Sequence, residues 1–307
     1  MNFHSVLREN KPNLSDGSIK TYISYLRGVA TGMGVSLKDA TLEWYNDAEP
    51  IIEWILENRP QINTRKTILT SLYVLTGNER YKNSFMVDAM EVQREQQRQE
   101  MNDKQREAWV SLEEIHNRFR ELLKDYSDFW TDDRPQDVRL QVYQQIVILA
   151  LMGGIFIPPR RLLDYSEMRI NGTMNSAEDN YIDFDKRVLV FNKYKTMRKY
   201  GRQEINIPQE LYDILHRWRV MNHSDWLLVN VNGDKLTPSN LNVRVNRIFG
   251  KRMGCNMFRH IYISEKVLCH MPKLLELQEI ARMMGHDILT QMLYRKTDTS
   301  SSEEDDE

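Results

Sequence analysis

A tyrosine next to cations stands near the end of this chain, in the stretch MMGHDILTQMLYRK from Met283 to Lys296. His286 precedes Tyr294 by eight residues, and Arg295 and Lys296 follow it. The pKa of a free phenol is about 10, so such a tyrosine is a poor nucleophile at neutral pH unless nearby cations favour loss of its proton. This combination indicates nucleophilic attack by a tyrosine inside a positively charged site.

Further cations lie upstream in three short stretches. PPRRLLDY places Arg160 and Arg161 at a predicted helix start, NKYKTMRKYGR places Lys193 and Lys195 near a predicted hairpin, and NMFRHIY supplies Arg259 and His260. A guanidinium group stays charged and presents a planar fork that suits two phosphate oxygens, so arginines that meet at one point indicate a phosphoryl centre. Each residue alone has an ordinary structural interpretation: a surface ion pair, a packed histidine or a docking aromatic ring.

The order and spacing of these residues resemble the motifs of the tyrosine recombinases, the integrases that cut and rejoin DNA through a phosphotyrosine. The family's first box is an arginine, two residues, an acid and an apolar residue, which matches RLLDY at Arg161–Tyr165 and selects Arg161 over Arg160. The family's hairpin lysine, often followed by threonine, matches Lys195, with Lys193 as the second choice. The resemblance covers about residues 110 to 296 and, more loosely, the helical residues before them.

The two remaining boxes of the family match with one departure each. The second box is a histidine, two residues, an arginine and often another histidine, and it matches NMFRH at Asn256–His260. Asn256 stands where the family usually has histidine, and an amide donates a hydrogen bond but cannot exchange protons; His260 would assist or merely pack. The last box, a Gly-His pair with a tyrosine downstream, matches His286 and Tyr294 at a spacing one residue shorter than usual, which we interpret as a loop deletion.

The resemblance implies a role for each matched residue. Tyr294 would attack a DNA phosphodiester, form a 3′-phosphotyrosyl bond and release a 5′-hydroxyl. Arg161 and Arg259 would hold the non-bridging oxygens. Lys195 would protonate the departing oxygen, and His286 would donate to the phosphate. Because bond energy is kept in the protein–DNA ester, no cofactor is expected, and the sequence shows neither a glycine-rich phosphate loop nor an acidic cluster with metal-ligand spacing.

Two rival functions stay open at this stage. A type IB topoisomerase-like relaxing enzyme shares the nucleophile and the basic pocket but acts alone on one duplex. A catalytically weakened DNA-binding protein derived from a recombinase would account for Asn256 and the shortened last box. For a recombinase, the resemblance implies double-stranded DNA as partner and self-assembly into a tetramer on DNA, and the sequence does not identify any accessory DNA-bending protein. The short sequences PPRRLLDY and KYKT are similar to those of proteins from viral or virophage-type mobile elements, in which the reaction would be genome integration.

Charge is distributed unevenly along the chain. The formal net charge is -2, yet residues 186 to 259 hold fifteen Lys and Arg against five Asp and Glu, while Glu303–Glu307 carries five negative charges. Such a basic surplus is either a solvated face or a phosphate-binding surface. The cations that we predict to contact DNA outside the catalytic set are Lys20, Arg27, Arg65, Lys66, Arg198, Lys199, Arg202 and Arg244.

The spacing of apolar residues predicts a mainly α-helical protein with a small antiparallel β-sheet. Strands are predicted at YIDFD, VLVFNKYKT and QEINIP, and helices at Ser18–Val29, Ile51–Asn58, Thr64–Leu75, Trp109–Leu123, Val138–Met152, from Pro208, Thr237–Phe249, Met257–Leu268 and Pro272–Met284. The predicted domains are an all-α core-binding domain over 1–88, a charged helical connector over 89–108, an α+β catalytic domain over 109–296 and an acidic disordered tail over 297–307.

Size and composition set the remaining expectations. A length of 307 residues with 41% hydrophobic content suffices for two domains with real cores. The polar start Met1–Asn13 and the short apolar run Ile146–Met152 predict neither a signal peptide nor a membrane span. We therefore expect an intracellular protein located with its target DNA, in the nucleus or viral factory if it comes from a eukaryotic virus, or in the cytoplasm or nucleoid if it is bacterial. Cys255 and Cys269 lack metal-ligand spacing and are expected to be reduced thiols.

Overall fold

The computed structural model describes residues 2–128, 136–172 and 175–294. Contacts divide the chain into two units, of which one holds the residues up to Glu100 together with those from Pro272, and the other holds Met101–Met271. Each unit has a hydrophobic core of its own. Within the described ranges, no helix combines the length and the apolar character that a membrane span requires.

The part of the first unit up to Glu100 is built from helices. They are α1 (Phe3–Asn10), α2 (Asp16–Gly32), α3 (Leu42–Asn46), α4 (Ala48–Asn58), α5 (Ile62–Thr76) and α6 (Glu79–Arg98). Their core includes two buried tyrosines with satisfied hydroxyl groups: Tyr45 donates to the Leu26 carbonyl at 2.8 Å, and Tyr81 donates to the Tyr45 carbonyl at 2.7 Å. Burial raises the pKa of Tyr45 to about 12, so this phenol stays protonated at neutral pH.

Local sequence signals set the ends of these helices. Ser15 caps α2, because its hydroxyl accepts a hydrogen bond from the Ser18 backbone N–H at 3.2 Å. Gly77 ends α5 in the left-handed conformation, with φ 73°. The three helices predicted in this region lie within α2, α4 and α5. Helices α1 and α3 were not predicted, because helices of 8 and 5 residues hold too few apolar positions to show a helical period.

The second unit contains helices and a small sheet. Its elements are α7 (Asp103–Ala108), α8 (Leu112–Asp128), α9 (Gln136–Met152), α10 (Leu162–Ser166), β1 (Met168–Arg169), β2 (Asn180–Asp183), β3 (Val188–Phe191), α11 (Met197–Tyr200), β4 (Gln203–Asn206), α12 (Gln209–Met221), α13 (Pro238–Phe249) and α14 (Asn256–Tyr262). A π-helical turn, Ile263–Val267, continues α14. The remaining helices, α15 (Leu274–Met283) and α16 (Ile288–Tyr294), group with the first unit.

The sheet has four strands in the order β1-β2-β3-β4. The pairs β2–β3 and β3–β4 are antiparallel, as the alternating apolar residues predict. β1 pairs with β2 in the parallel direction, so the sheet is mixed and the prediction of a purely antiparallel sheet was incomplete. A strand of two residues gives no alternating pattern that a sequence could reveal. The class itself, mainly α with a small sheet, is confirmed.

The predicted helices of the second unit are present with two changes. The helix predicted over Trp109–Leu123 begins only at Leu112, because Trp109 ends α7 in an extended conformation. Thr237 caps α13 as expected, because its side chain accepts from the Asn240 N–H at 3.2 Å and Pro238 fills the first turn. The helix predicted over Met257–Leu268 instead changes to the π-helical turn after Tyr262. A π-helical hydrogen bond spans one residue more than an α-helical one, which shifts the side chains of the turn. Glu265 on this turn lies within reach of the start of α8.

The two units have limits that follow from contacts between residues. The boundary between the units lies between residues 100 and 101, inside the predicted connector 89–108. α6 continues through the first half of that connector and buries Val92, then stops at Gln99, whose φ is 55°. Residues from Pro272 group with the first unit, where α15 packs against α6 and the Leu274 N–H donates to Gln99 Oε1 at 2.7 Å. The four domain ranges themselves stay a prediction, and the acidic tail 297–307 lies outside the described residues.

Gly154, shortly after α9, allows a close contact with α14. Gly154 has φ 73°, and a β-carbon there would overlap the ring of Tyr262. α9 is buried along Ile146–Met152, so the turn at Gly153 and Gly154 leaves a fixed core and leads towards Pro158. The absence of a side chain at Gly154 therefore lets α14 lie directly against the segment that leads to Arg161.

Alanine at Gly154 is expected to destabilise the second unit. A left-handed alanine costs about 1–2 kcal/mol, and overlap with Tyr262 adds an overpacking cost of about 1–3 kcal/mol. Gly250→Ala is the matched control, because Gly250 has φ 64° but nothing within 4 Å of its added β-carbon. Urea unfolding should show a larger loss for Gly154→Ala than for Gly250→Ala, and equal losses would contradict the packing described here.

Candidate functional site

Arg161 stands at the point where the chain enters α10. Pro158 and Pro159 disfavour helix before it, so α10 starts only at Leu162, and Arg161 takes the N-cap position with φ -70° and ψ 149°. Its backbone carbonyl accepts from the Asp164 N–H at 3.0 Å. The side chain is half-buried and makes no hydrogen bond or ion pair to any residue that the structure describes. Arg161 is thus held by its backbone while its guanidinium group stays available.

Arg160, in contrast, is fully engaged inside the unit. Its Nε lies 3.0 Å from Asp164 Oδ2, and its Nη1 donates to Gln203 Oε1 at 2.8 Å. The guanidinium group also lies over the Phe191 ring at 4.0 Å and the Tyr194 ring at 4.9 Å from their centroids. Arg160 therefore joins α10 to the sheet, and of the two neighbouring arginines Arg161 is the one free to bind an anion.

Asp164 is a buried carboxylate at the centre of this region. It is 2% exposed, and its Oδ1 has no hydrogen-bond partner among the described residues. Burial raises the pKa of Asp164, and the positive charges of Arg160 and Arg161 oppose that rise. Asp164 thus provides a negative charge that holds Arg160 and attracts Arg161.

Arg259 shares an electrostatic environment with Arg161. Arg259 lies half-buried on α14, and its pKa is lowered first by burial and next by the positive charge of Arg161, with a smaller contribution from Arg160. Asp164 acts in the opposite direction. The Arg259 side chain also has no hydrogen bond or ion pair within the described ranges. Two guanidinium groups from distant parts of the sequence are therefore brought near each other, and neither is neutralised by direct contact with an acid.

Several contacts fix α14, which carries Arg259. Phe258 and Ile261 are buried in the core of the second unit. On the π-helical turn that follows, Glu265 accepts from Trp109 Nε1 at 2.9 Å and from the Leu112 N–H at 2.7 Å. The second of these bonds satisfies a free backbone N–H at the start of α8. The turn therefore ties the end of α14 to the first helices of the unit.

The predicted lysine hairpin is present. Residues 192–202 connect β3 to β4, and Lys195 lies in this connection with an exposed side chain that has no ion-pair partner in the part of the chain that the structure describes. Lys193 Nζ lies 3.6 Å from Glu167 Oε2, and Lys235 Nζ lies 3.0 Å from Glu167 Oε1. These two lysines lower the pKa of Glu167. Lys193 is therefore partly neutralised, whereas Lys195 is not.

The other predicted site residues are Asn256, His260, His286 and Tyr294. Asn256 begins α14 and is exposed, as is His260 one turn later. His286 follows Gly285, which ends α15 with φ 79°, and the His286 N–H donates to the Ala281 carbonyl at 3.0 Å. Tyr294 is the last residue of α16, and its side chain lies outside the described residues. Arg161 and Arg259 thus act on each other electrostatically, whereas it stays a prediction that His286 and Tyr294 join them.

The predicted DNA-contacting cations fall into two groups. Arg65 is committed to its own unit, because its Nε and Nη2 form a two-pronged ion pair with the buried carboxylate of Asp88 at 2.5–3.1 Å. Arg202 pairs with Glu204 at 2.6 Å, and half-buried Arg244 donates to the Val229 carbonyl at 3.4 Å. The members without an ion pair among the described residues include exposed Lys20, Arg27, Arg198 and Lys199 and half-buried Lys66. Arg65 is thus poorly placed to contact DNA.

Comparisons with known proteins add little beyond the fold. No protein-family model matches the chain, and no curated protein matches it. Among solved structures it is similar to the crystal structure of XerA recombinase, at 12% sequence identity and a TM-score of 0.35, over 98% of this chain and 95% of that chain. Likeness at this level carries no argument about activity. The function must be argued from the side chains themselves.

Proposed function

We propose that this chain is a DNA strand transferase that cuts and rejoins strands through a tyrosine ester, acting as a site-specific recombinase or integrase. The observation that carries the proposal is the pairing of Arg161 with Arg259. Burial and the positive charge of Arg161 lower the pKa of Arg259, and the negative charge of Asp164 opposes this without a direct contact to either side chain. A bound anion would stabilise both cations, and a phosphodiester supplies two oxygens that suit two planar forks. The pair is therefore better explained as a phosphate site than as a support for the fold.

The proposed reaction starts when the Tyr294 phenol, beside the cations of the site, loses its proton to water and its oxygen attacks the phosphorus atom. A bond forms between the tyrosine oxygen and phosphorus, and the bond from phosphorus to the 5′ oxygen breaks. Negative charge grows on the non-bridging oxygens in the transition state, where Arg161 and Arg259 stabilise it. Lys195 gives its proton to the departing 5′ oxygen, and His286 donates a hydrogen bond to the phosphate. Rejoining reverses these steps when a 5′-hydroxyl from a partner strand attacks the ester.

Double-stranded DNA is the proposed partner, and the exposed cations supply contacts to its backbone. Lys20 and Arg27 lie on α2 of the first unit, while Arg198 and Lys199 lie on α11 of the hairpin connection that holds Lys195. Contacts to phosphates orient a protein on DNA without reading its sequence, so these residues should contribute affinity rather than specificity. Exchange between two duplexes requires four active sites, and we propose assembly of four copies on DNA.

A substrate that traps the intermediate tests the proposal. A duplex with a nick just downstream of the attack site loses its short 5′-hydroxyl fragment after cleavage, so the protein stays joined to the DNA. Because the target sequence is not known, the duplex is taken from DNA selected by binding to the purified protein. We expect a covalent complex that survives denaturant. Specific binding without any covalent complex would contradict the proposal, and relaxation of a supercoiled circle without joining of two duplexes would assign the chemistry to a relaxing enzyme.

A further inference from the structure

We propose that Asn180 is a positioning residue that fixes the lysine hairpin relative to the arginine pair and so sets the place from which Lys195 delivers its proton. This inference rests on the function proposed above. The buried, uncharged side chain of Asn180 would thereby affect protonation of the leaving group. The side chain itself would not touch DNA.

Asn180 is the first residue of β2, and its amide group has four hydrogen bonds. The residue is 2% exposed. Its Nδ2 donates to the Asp164 carbonyl at 3.0 Å and to the Lys193 carbonyl at 2.8 Å. Its Oδ1 accepts from the Asn192 N–H at 2.9 Å and from the Lys193 N–H at 2.8 Å. Both donors and both acceptor positions of the amide are therefore used.

These four bonds join the two segments that carry the proposed chemistry. Asp164 lies in α10, which begins directly after Arg161, and its carboxylate holds Arg160. Lys193 lies two residues before Lys195 and is held at both its N–H and its carbonyl. One side chain therefore links the arginine segment to the lysine segment with no intervening water or loop.

The chain beyond Lys193 is also held, which carries the constraint as far as Lys195. The Tyr194 hydroxyl donates to the Gly201 carbonyl at 2.6 Å across the hairpin connection, and its ring lies under Arg160. The Met197 N–H donates to the Tyr194 carbonyl at 3.1 Å, which closes a turn around Lys195. The backbone at Lys195 is thus fixed from both sides, while its ammonium group is left exposed.

Only an amide of this length satisfies the site. Aspartate has nearly the same shape and still accepts from the two N–H groups, but it cannot donate, and its carboxylate would face the carbonyl oxygens of Asp164 and Lys193. Asn180→Asp should therefore loosen the link between the segments at little cost in volume. Asn192→Asp is the matched control, because Asn192 is also buried and its Nδ2 donates to the Ser176 carbonyl at 3.0 Å and the Asp179 carbonyl at 2.7 Å, not to α10.

A sulfur-containing substrate separates a positioning role from a general loss of structure. In a 5′-bridging phosphorothiolate, sulfur replaces the departing 5′ oxygen, and a thiol loses its proton near pH 8.5, so it leaves without a general acid. Loss of general-acid catalysis costs roughly 100- to 10,000-fold, and a displaced acid should cost part of that. We expect Asn180→Asp to slow cleavage of the ordinary substrate by roughly 10- to 100-fold while cleaving the thiolate substrate nearly as fast as the wild type.

The outcomes are distinguishable. Lys195→Ala should show the same rescue by sulfur, and the double variant should be no slower than Lys195→Ala alone, whereas Asn192→Asp should show no preference for sulfur. Equal losses on both substrates for Asn180→Asp, or no loss at all, would overturn the positioning role while leaving the proposed function intact. Absence of cleavage by the wild type on both substrates would overturn the proposed function itself. Asn180→Ser serves if the aspartate variant does not fold, and failure of both to fold would show a purely structural role.

Discussion

Replacement of Tyr294 by phenylalanine should abolish covalent attachment to DNA and leave DNA binding unchanged. The substitution removes one oxygen, which is the atom that forms the ester, and it keeps the aromatic ring. The cations Arg161, Arg259 and Lys195 are retained, so affinity for the DNA backbone should persist with the same salt dependence. Trapping on the nicked duplex and a binding titration, both on the full-length chain, measure the two quantities.

A second tyrosine provides the control for this result. Tyr200 ends α11 in the hairpin connection and is 57% exposed, so its phenol is accessible and lies near many cations. Tyr200→Phe should trap DNA at the wild-type rate. Covalent attachment by Tyr294→Phe, or its loss in Tyr200→Phe alone, would show that the nucleophile was wrongly assigned.

Removal of either member of the arginine pair should produce the next largest effect. Arg161→Ala and Arg259→Ala should each raise the barrier to cleavage by about 3–4 kcal/mol, which corresponds to roughly a 100- to 1000-fold lower rate. Each arginine stabilises charge that develops only in the transition state, so the loss should appear in the rate of a single turnover at saturating protein rather than in affinity alone. Lysine keeps the charge but not the planar fork, so Arg161→Lys should recover part of the rate.

Two other arginines distinguish this effect from a general loss of positive charge. Arg217 on α12 is exposed and acts electrostatically on Tyr126 and Tyr143, so Arg217→Ala should leave the rate unchanged. Arg160→Ala should chiefly lower stability, because it leaves the buried Asp164 without its ion pair. A normal cleavage rate in Arg161→Ala or Arg259→Ala would contradict the proposed phosphate site.

The long helices could be predicted from the sequence, whereas the short helices and strands could not. α2, α12 and α13 carry apolar residues at helical spacing over several turns, together with caps such as Thr237, so both type and position followed from local physics. α9 was predicted as a buried helix from its continuous apolar run. β1 has only two residues and depends on a partner strand further along the chain. The assignment of α15 and α16 to the first unit also depends on long-range packing, which no local pattern contains.

Motif spacing could predict which residues belong to the candidate site, but not which partners they have in the fold. Spacing chose Arg161 over Arg160, and the structure supplies a physical reason, since Arg160 is held by Asp164 and two aromatic rings. It could not show that Arg65 meets Asp88, because the partner lies on another helix. It also gave no sign of Asn180, whose importance arises only when Asp164 and Lys193 are brought to its two sides.

Identification of the residue joined to DNA is the most direct test of the central claim, that Tyr294 attacks a phosphate held by Arg161 and Arg259. The complex trapped on the nicked duplex is digested with protease and nuclease, and mass spectrometry locates the nucleotide on the peptide. We expect a 3′-linked nucleotide on Tyr294, formed by the wild type and greatly reduced in Arg161→Ala and Arg259→Ala. A nucleotide on any other residue, or full labelling of Tyr294 in the two arginine variants, would contradict it.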